Sequence, residues 1–181
     1  MLHLNIIKVK TPEEMGKAAA NKFEAVICRK PGPIGAGSER ENVVAELICD
    51  GQHIHPSAVR MAFKLFPGRI CIVSDAQRCC GMPDGQYTLG GQDVWLENNL
   101  ARLADGTIAG SATNLYLCMQ KAISFGIPME QAIRSATIIP ARQIGREAEI
   151  GSIEPGKLAD FVVCAPDLTP KAVYLGGEIV E

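Results

Sequence analysis

The sequence has no long hydrophobic run. Nothing in its 181 residues approaches the roughly 20 apolar residues that a membrane-spanning helix needs. It also has no excess of one charge, since 18 lysines and arginines against 20 acidic residues give a net charge of −2. A chain with this charge balance has no excess of positive charge that would attract a polyanion such as nucleic acid. We therefore expect a protein that binds neither membranes nor nucleic acid.

Metal and phosphate motifs are missing as well. The seven cysteines form no C-x-x-C pair, which argues against a structural zinc knuckle and favours buried free thiols in a reducing compartment. The glycines at 32, 35 and 37 match neither a P-loop nor a dinucleotide fingerprint. Residues 1–14 lack the pattern of a signal peptide, so the sequence predicts a cytoplasmic protein.

What the chain does contain is an alternation of short apolar runs and amphipathic segments. Strands are expected near 4–9, 23–28, 43–49 and 69–74, with helices over 11–20 and after Pro56 and an irregular loop over 29–37. This order is typical of parallel βα units. The sequence therefore predicts an α/β fold.

The pattern of predicted elements changes near residue 84. Segments over 84–110 read as β-hairpins, with the only tryptophan, Trp95, in their core. Helices are expected over 113–125, capped by Thr113 or Ser111, over 129–138, and after Pro140, followed by strands and turns. We therefore divide the chain into residues 1–145, with a hairpin excursion around 84–110, and a small β segment over 146–181.

Polar side chains follow two neighbouring predicted strands. Asp50, His53 and His55 come after the third strand and Asp75 after the fourth. Parallel α/β folds place their working residues at this carboxyl edge. Asp75 is either a catalytic carboxylate or a turn residue that ends a strand. The two histidines could bind a metal with Asp75 as a third ligand, or bind none.

Several segments together resemble one enzyme family: "AELICDGQHIHP", "IVSDA", "GMPDGQYTLGGQ", "LADGTIAGS", "PARQIG" and "GSIEPGKLADFVV". In this order they are similar to the carboxy-terminal half of N-acetylglucosamine-6-phosphate deacetylases, in the amidohydrolase superfamily. The resemblance implies a partial (β/α) barrel, the second half of a TIM barrel, with part of a β-sandwich at the carboxyl end. It also implies hydrolysis of the N-acetyl group of an amino-sugar 6-phosphate.

The resemblance assigns roles to individual residues. Asp75 matches the family's general base, and His53 matches a histidine that binds substrate. The other matched substrate-binding positions are Arg29, on the sugar phosphate and across a dimer interface, Ala25 in the segment that corresponds to "THLFNAM", and Ile108, Gly110 and Ser111 in a loop over the acetyl end.

The family's metal ligands do not carry over. The resemblance implies a divalent metal, Zn²⁺, but Asn21 stands at one ligand histidine, Ile7 or Lys8 at the other, and the ligand glutamate has no counterpart. We therefore predict no metal ligand here, and expect a homo-oligomer or a partner that supplies the missing half barrel. Two hypotheses follow: a truncated deacetylase, or a non-catalytic remnant or partner subunit that binds an amino-sugar phosphate.

Overall fold

A computed structural model describes residues 4–5 and 32–180 of the chain. Within this part the fold is mixed α/β, with three small sheets, none of which closes. The strands are β1 (Leu4–Asn5), β2 (Ala45–Ile48), β3 (Ile70–Val73), β4 (Gly85–Leu89), β5 (Gln92–Glu97), β6 (Leu100–Arg102), β7 (Ile108–Ser111), β8 (Phe161–Cys164), β9 (Pro170–Leu175) and β10 (Glu178–Val180). The helices are α1 (Gly32–Ser38), α2 (Pro56–Leu65), α3 (Leu115–Ser124), α4 (Met129–Ala136) and α5 (Ile138–Gln143).

The first sheet is parallel, in the order β1-β2-β3. Leu4 pairs with Ala45, and Ala45 pairs with Ile70. Both β2 and β3 carry fully buried side chains, such as Leu47 and Ile72, because helices cover the sheet. The predicted strands over 43–49 and 69–74 are confirmed, and residues 4–5 of the strand predicted over 4–9 form β1. The rest of that strand, the strand predicted over 23–28 and the helix predicted over 11–20 lie outside the described residues.

Helix α2 begins and ends where its sequence indicates. Pro56 occupies the first turn, and His55, in an extended conformation, accepts a hydrogen bond from the Ser57 backbone N–H at 3.2 Å. The helix buries Val59 and Phe63 in the main core. Pro67 then ends the apolar stripe, so the sequence prediction for this helix is confirmed.

The second sheet is an antiparallel meander, β4-β5-β6-β7, which confirms the hairpins expected near 84–110. Strand β5 alternates, so Val94 and Leu96 are buried while Trp95 lies on the opposite face. Trp95 is 42% exposed, and its predicted place in the core is wrong. Side chains of a β-strand point alternately to its two faces, so burial of Val94 and Leu96 turns Trp95 to the exposed face.

The third sheet, β10-β9-β8, is also antiparallel, and no residue of its three strands is buried. It is joined to α3 by side chains: the Tyr116 hydroxyl donates to Leu168 O at 2.7 Å, and Gln120 Nε2 donates to the same oxygen at 3.1 Å. Burial, together with the Cys164 thiol at 2.9 Å, raises the pKa of Tyr116 to about 12. The phenol therefore stays a hydrogen-bond donor at neutral pH.

Three local predictions are wrong. Residues 32–37 of the expected loop belong to α1, since Pro33 suits a first helical turn and the Ser38 hydroxyl donates a hydrogen bond to Gly35 O at 2.8 Å. The cap of α3 is neither Thr113 nor Ser111 but Asn114, whose Oδ1 accepts from the Leu117 N–H at 2.9 Å. Helix α5 contains Pro140 in its first turn, whereas the prediction placed the helix after this residue. Proline is tolerated there because the N–H groups of a first helical turn have no acceptor within the helix.

Four of the six cysteines in the described residues are buried free thiols, as predicted: Cys49, Cys71, Cys79 and Cys118. Burial raises the pKa of Cys49 and of Cys118 to about 12 each. The thiols of Cys49 and Cys118 are therefore unreactive at neutral pH. Among the helices of the described residues, none is both long enough and apolar enough to cross a membrane.

The guanidinium of Arg69 holds the end of α1 and the segment that follows it. Its Nη1 donates to Arg40 O at 2.6 Å and to Val43 O at 2.8 Å, and its Nη2 donates to Ser38 O at 2.8 Å. The same group lies 5.1 Å from the centre of the Phe66 ring. This planar fork ties the last residue of α1, Ser38, to the segment that leads into β2.

We expect Arg69→Lys to lower the free energy of unfolding by about 2 kcal/mol. A lysine ammonium cannot reach Ser38 O and the carbonyls of Arg40 and Val43 together, and hydrogen bonds from a charged donor contribute more to stability than those between neutral groups. Urea unfolding followed by circular dichroism measures the change. Arg60→Lys is the matched control, since Arg60 makes one exposed bond, to Phe125 O at 2.9 Å, and its loss should stay near 0.5 kcal/mol. Equal losses in the two variants would contradict the role of the fork.

Candidate functional site

The parallel pair β2 and β3 sets two carboxylates at one edge of the first sheet. Ile48 pairs with Val73 at the end of the ladder, and Asp50 and Asp75 each follow two residues later. Parallel strands end on the same side, so both acids lie where this class of sheet places its ligands. The predicted convergence of the two strands is thus present in the structure.

Asp50 and His53 form a buried pair. Asp50 Oδ2 lies 2.7 Å from His53 Nδ1, and Asp50 Oδ1 accepts from the backbone N–H groups of Gln52 at 2.9 Å and His53 at 3.0 Å. Burial opposes ionisation of Asp50, but the hydrogen bonds from His53 and Gln52 outweigh it and hold the pKa of this carboxyl below its ordinary value. Asp50 is therefore the anion that orients the ring.

The second nitrogen of this ring is free. An ionised Asp50 requires a proton on His53 Nδ1, so in the neutral imidazole Nε2 carries a lone pair. Among the buried side-chain nitrogen and oxygen atoms of the described residues, Nε2 is the one without a hydrogen-bond partner, and His53 is only 4% exposed. Buried polar atoms are normally satisfied, so this nitrogen is a candidate contact for a ligand.

Asp75 is exposed and adopts a left-handed backbone conformation, with φ of 51°. Aspartate tolerates this region better than most residues. Its carbonyl accepts from the Ser111 N–H at 3.1 Å, and the Gln77 N–H donates to Ser111 O at 2.7 Å, so the segment after β3 pairs with the end of β7. The main chain of Asp75 is therefore fixed while its carboxylate faces solvent.

The segment of β7 that matched the family loop is brought next to Asp75 by this pairing. Gly110 and Ser111 are buried, Ile108 is half-buried, and the Ser111 hydroxyl accepts from the Thr113 N–H at 2.9 Å. The contact joins residues that are about 35 positions apart. No local pattern in the sequence indicates it.

The histidine pair considered as a metal site is not assembled. His55 is exposed and caps α2 through Nδ1, and the described residues contain no group of three or more His, Cys, Asp or Glu side chains that could hold a metal ion. Arg29 and Ala25 lie outside the described residues. What inspection of the sequence missed is the Asp50–His53 pair, which the D-x-x-H spacing could have indicated.

Comparison with known proteins identifies the family. The model of the amidohydrolase family matches residues 69–180. A protein of Escherichia coli K12, provisionally named an N-acetylgalactosamine-6-phosphate deacetylase, is 34% identical over 84% of this chain and 92% of its own length. The N-acetylglucosamine-6-phosphate deacetylase of Vibrio furnissii is 35% identical over 84% of this chain and 38% of its own.

Solved structures agree. A mutant N-acetyl-D-glucosamine-6-phosphate deacetylase of Mycobacterium smegmatis, in complex with N-acetyl-D-glucosamine-6-phosphate, matches with a TM-score of 0.77 and 34% identity, over 85% of this chain and 42% of that one. The Thermotoga maritima N-acetylglucosamine-6-phosphate deacetylase matches with a TM-score of 0.78 and 29% identity, over 85% and 43%.

Apart from the Escherichia coli K12 protein, these relatives are longer, and the chain spans about two fifths of their length. It thus corresponds to part of an N-acetylglucosamine-6-phosphate deacetylase. The family model covers more than half of the chain, and the chain belongs to the amidohydrolase family.

Proposed function

We propose that this chain acts as the carboxy-terminal part of a deacetylase that hydrolyses N-acetylated amino-sugar 6-phosphates. In this proposal residues 1–145 form a partial (β/α) barrel, and residues 146–181 form part of a β-sandwich. The proposal is supported by relatives named as deacetylases of N-acetylglucosamine 6-phosphate and N-acetylgalactosamine 6-phosphate. We also propose a cytoplasmic location and association with a second copy or a partner that completes the barrel.

The observation that carries the proposal is the shared edge of β2 and β3. There the exposed carboxylate of Asp75 and the buried Asp50–His53 pair follow adjacent strands, and Asp75 is tied to Ser111. Asp75 can take a proton from the attacking water and return it to the leaving amine. His53 Nε2, free and fixed in direction, can bind the substrate. Ile108, Gly110 and Ser111 would border the acetyl end, Arg29 would contact the sugar phosphate, and Ala25 would contact the substrate.

Amidohydrolases are generally metal-dependent. The described residues do not fit a zinc site: His53 Nε2 is a single buried donor, and no three-donor group of His, Cys, Asp and Glu exists in residues 4–5 and 32–180. We therefore assign no step to a metal on these residues. The donors would have to come from other parts of this chain or from a partner.

Because the described residues hold no three-donor metal group, they also support a second candidate function, binding of an amino-sugar phosphate without hydrolysis. The two functions share His53 and the Gly110–Ser111 segment and differ in whether the amide bond is cleaved. Binding without acetate release would therefore separate them.

The testing experiment is an acetate-release assay on the purified full chain with N-acetylglucosamine 6-phosphate or N-acetylgalactosamine 6-phosphate, with and without added Zn²⁺, beside calorimetric titration of each sugar. Turnover above the background of a heat-denatured sample supports the deacetylase. Binding without turnover supports the second candidate, and neither binding nor turnover rejects both. Size-exclusion chromatography of the same sample tests the proposed association, which a monomer at assay concentration would contradict.

We expect His53→Asn to weaken binding of N-acetylglucosamine 6-phosphate about 10- to 100-fold, since an asparagine amide can still donate to Asp50 from the position of Nδ1 but has no atom at the position of Nε2. Calorimetry gives the dissociation constant. His55→Asn is the matched control, because His55 is exposed and serves only the helix cap, which asparagine can also provide. Unchanged affinity in His53→Asn, with an intact fold, would contradict the assignment of this nitrogen to the substrate.

A further inference from the structure

Gln77 lies at the junction between the end of β3 and the end of β7. Its N–H donates to Ser111 O at 2.7 Å, next to the hydrogen bond from the Ser111 N–H to Asp75 O at 3.1 Å. Ala76 and Ser111 form a parallel bridge between these two bonds. Residues 75–77 and Ser111 thus form a short strap that is held by the main chain, and Asp75 is its first residue.

The side chain of Gln77 covers Gly110. Gly110 has φ of 130°, and a Cβ added there would lie 2.7 Å from Gln77 Cγ and 2.8 Å from Gln77 Cδ. Position 110 therefore favours glycine for two reasons: the backbone is in a conformation that other residues rarely adopt, and the Gln77 side chain leaves no room for a Cβ. In the described part of the chain the Gln77 amide has no hydrogen-bond partner, so its contribution here is contact of its carbon atoms with the Gly110 backbone.

We infer that Gln77 is a positioning residue for the reaction: by packing on Gly110 it holds the strap closed and so fixes Asp75 relative to the Gly110–Ser111 segment. This inference rests on the proposed function of Asp75. A displaced base is costly, since a shift of about 1 Å in a reacting group can lower the rate by about 100-fold. The side chain acts through shape, so an unbranched residue of similar length should replace it.

The experiment compares Gln77→Ala and Gln77→Met with the unchanged chain. Amide hydrogen exchange of Ser111, read by NMR, reports the strap without any requirement for activity. Acetate release from N-acetylglucosamine 6-phosphate gives kcat and KM. Gln92→Ala is the control, since Gln92 is an exposed residue of β5 away from the strap.

In Gln77→Ala we expect Ser111 exchange to accelerate about 10-fold or more, kcat to fall about 10-fold and KM to stay within about twofold, because only the base has moved. Gln77→Met should retain wild-type exchange and kcat. Gly110→Ala should open the strap in the wild-type background, and less so in Gln77→Ala, where only the strain of the backbone remains.

Several results would overturn the inference: unchanged Ser111 exchange in Gln77→Ala, a rise in KM at constant kcat, or a Gln77→Met that behaves like Gln77→Ala. Absence of turnover in the unchanged chain would instead reject the deacetylase, and with it any catalytic consequence of the strap. In that case the exchange rates still decide whether Gln77 closes it.

Discussion

Asp75→Asn is expected to lower kcat for acetate release by about 10²- to 10⁴-fold, the range that general acid–base catalysis contributes. An asparagine amide cannot accept the proton of the attacking water or deliver it to the amine. The fold should survive, because the Asp75 side chain is exposed and asparagine tolerates the left-handed conformation, with φ of 51°. The main-chain bonds to Ser111 do not depend on the side chain.

Initial rates over a range of N-acetylglucosamine 6-phosphate concentrations measure this change. Asp93→Asn serves as the control, since Asp93 is an exposed carboxylate on β5, and its kcat should equal that of the unchanged chain. Substrate affinity in Asp75→Asn, measured by calorimetry, should change by less than about threefold. A variant that retains more than half of the wild-type kcat would exclude Asp75 as the base.

The second large effect is on stability. Asp50→Ala should reduce the free energy of unfolding by about 3–5 kcal/mol, because it leaves the buried His53 ring and two backbone N–H groups without their acceptor. Asp50→Asn retains an acceptor oxygen and should lose less. Urea unfolding at pH 7 gives both values, and a loss below about 1 kcal/mol in Asp50→Ala would contradict the importance of the pair.

The same pair predicts a pH dependence. The pKa of Asp50 lies below its ordinary value of 3.8, so the unfolded chain takes up a proton on Asp50 before the folded chain does. The stabilisation is therefore complete above about pH 5 and is lost as the pH falls below about 4 towards the folded pKa. The difference in stability between wild type and Asp50→Asn should shrink between pH 5 and pH 3. A constant difference would show that Asp50 is not the titrating group.

The elements that the sequence predicts correctly are those set by local signals. Helix α2 follows from Pro56 and from the spacing of Val59 and Phe63, and β3 follows from four apolar residues between Gly68 and Asp75. Helix α1 was missed because its glycines favour a loop, and the bonds that hold its end come from Arg69, about 30 residues later. The hydrophobicity of Trp95 favours the core, but the alternation of β5 places this side chain on the face opposite Val94 and Leu96.

The candidate site divides in the same way. Asp75 and His53 could be placed at the edge of the sheet from strand order alone, since parallel strands end together. The tie between Asp75 and Ser111 could not, because it joins two sheets across a long stretch of chain. The roles of Arg29 and Ala25 come only from the family resemblance and stay predictions. The half-open barrel likewise stays a proposal, since the first sheet has three strands in the described residues.

The strand order of the two antiparallel sheets determines when each sheet can fold during translation. Each of their strand pairs joins neighbours in sequence, β4 to β5 to β6 to β7 and β8 to β9 to β10. Contacts of this kind close short loops and form quickly. The meander can therefore assemble on the ribosome as soon as residue 111 has emerged, before any of the carboxyl-terminal sheet is translated. A stalled nascent chain that ends shortly after the meander should already resist protease there.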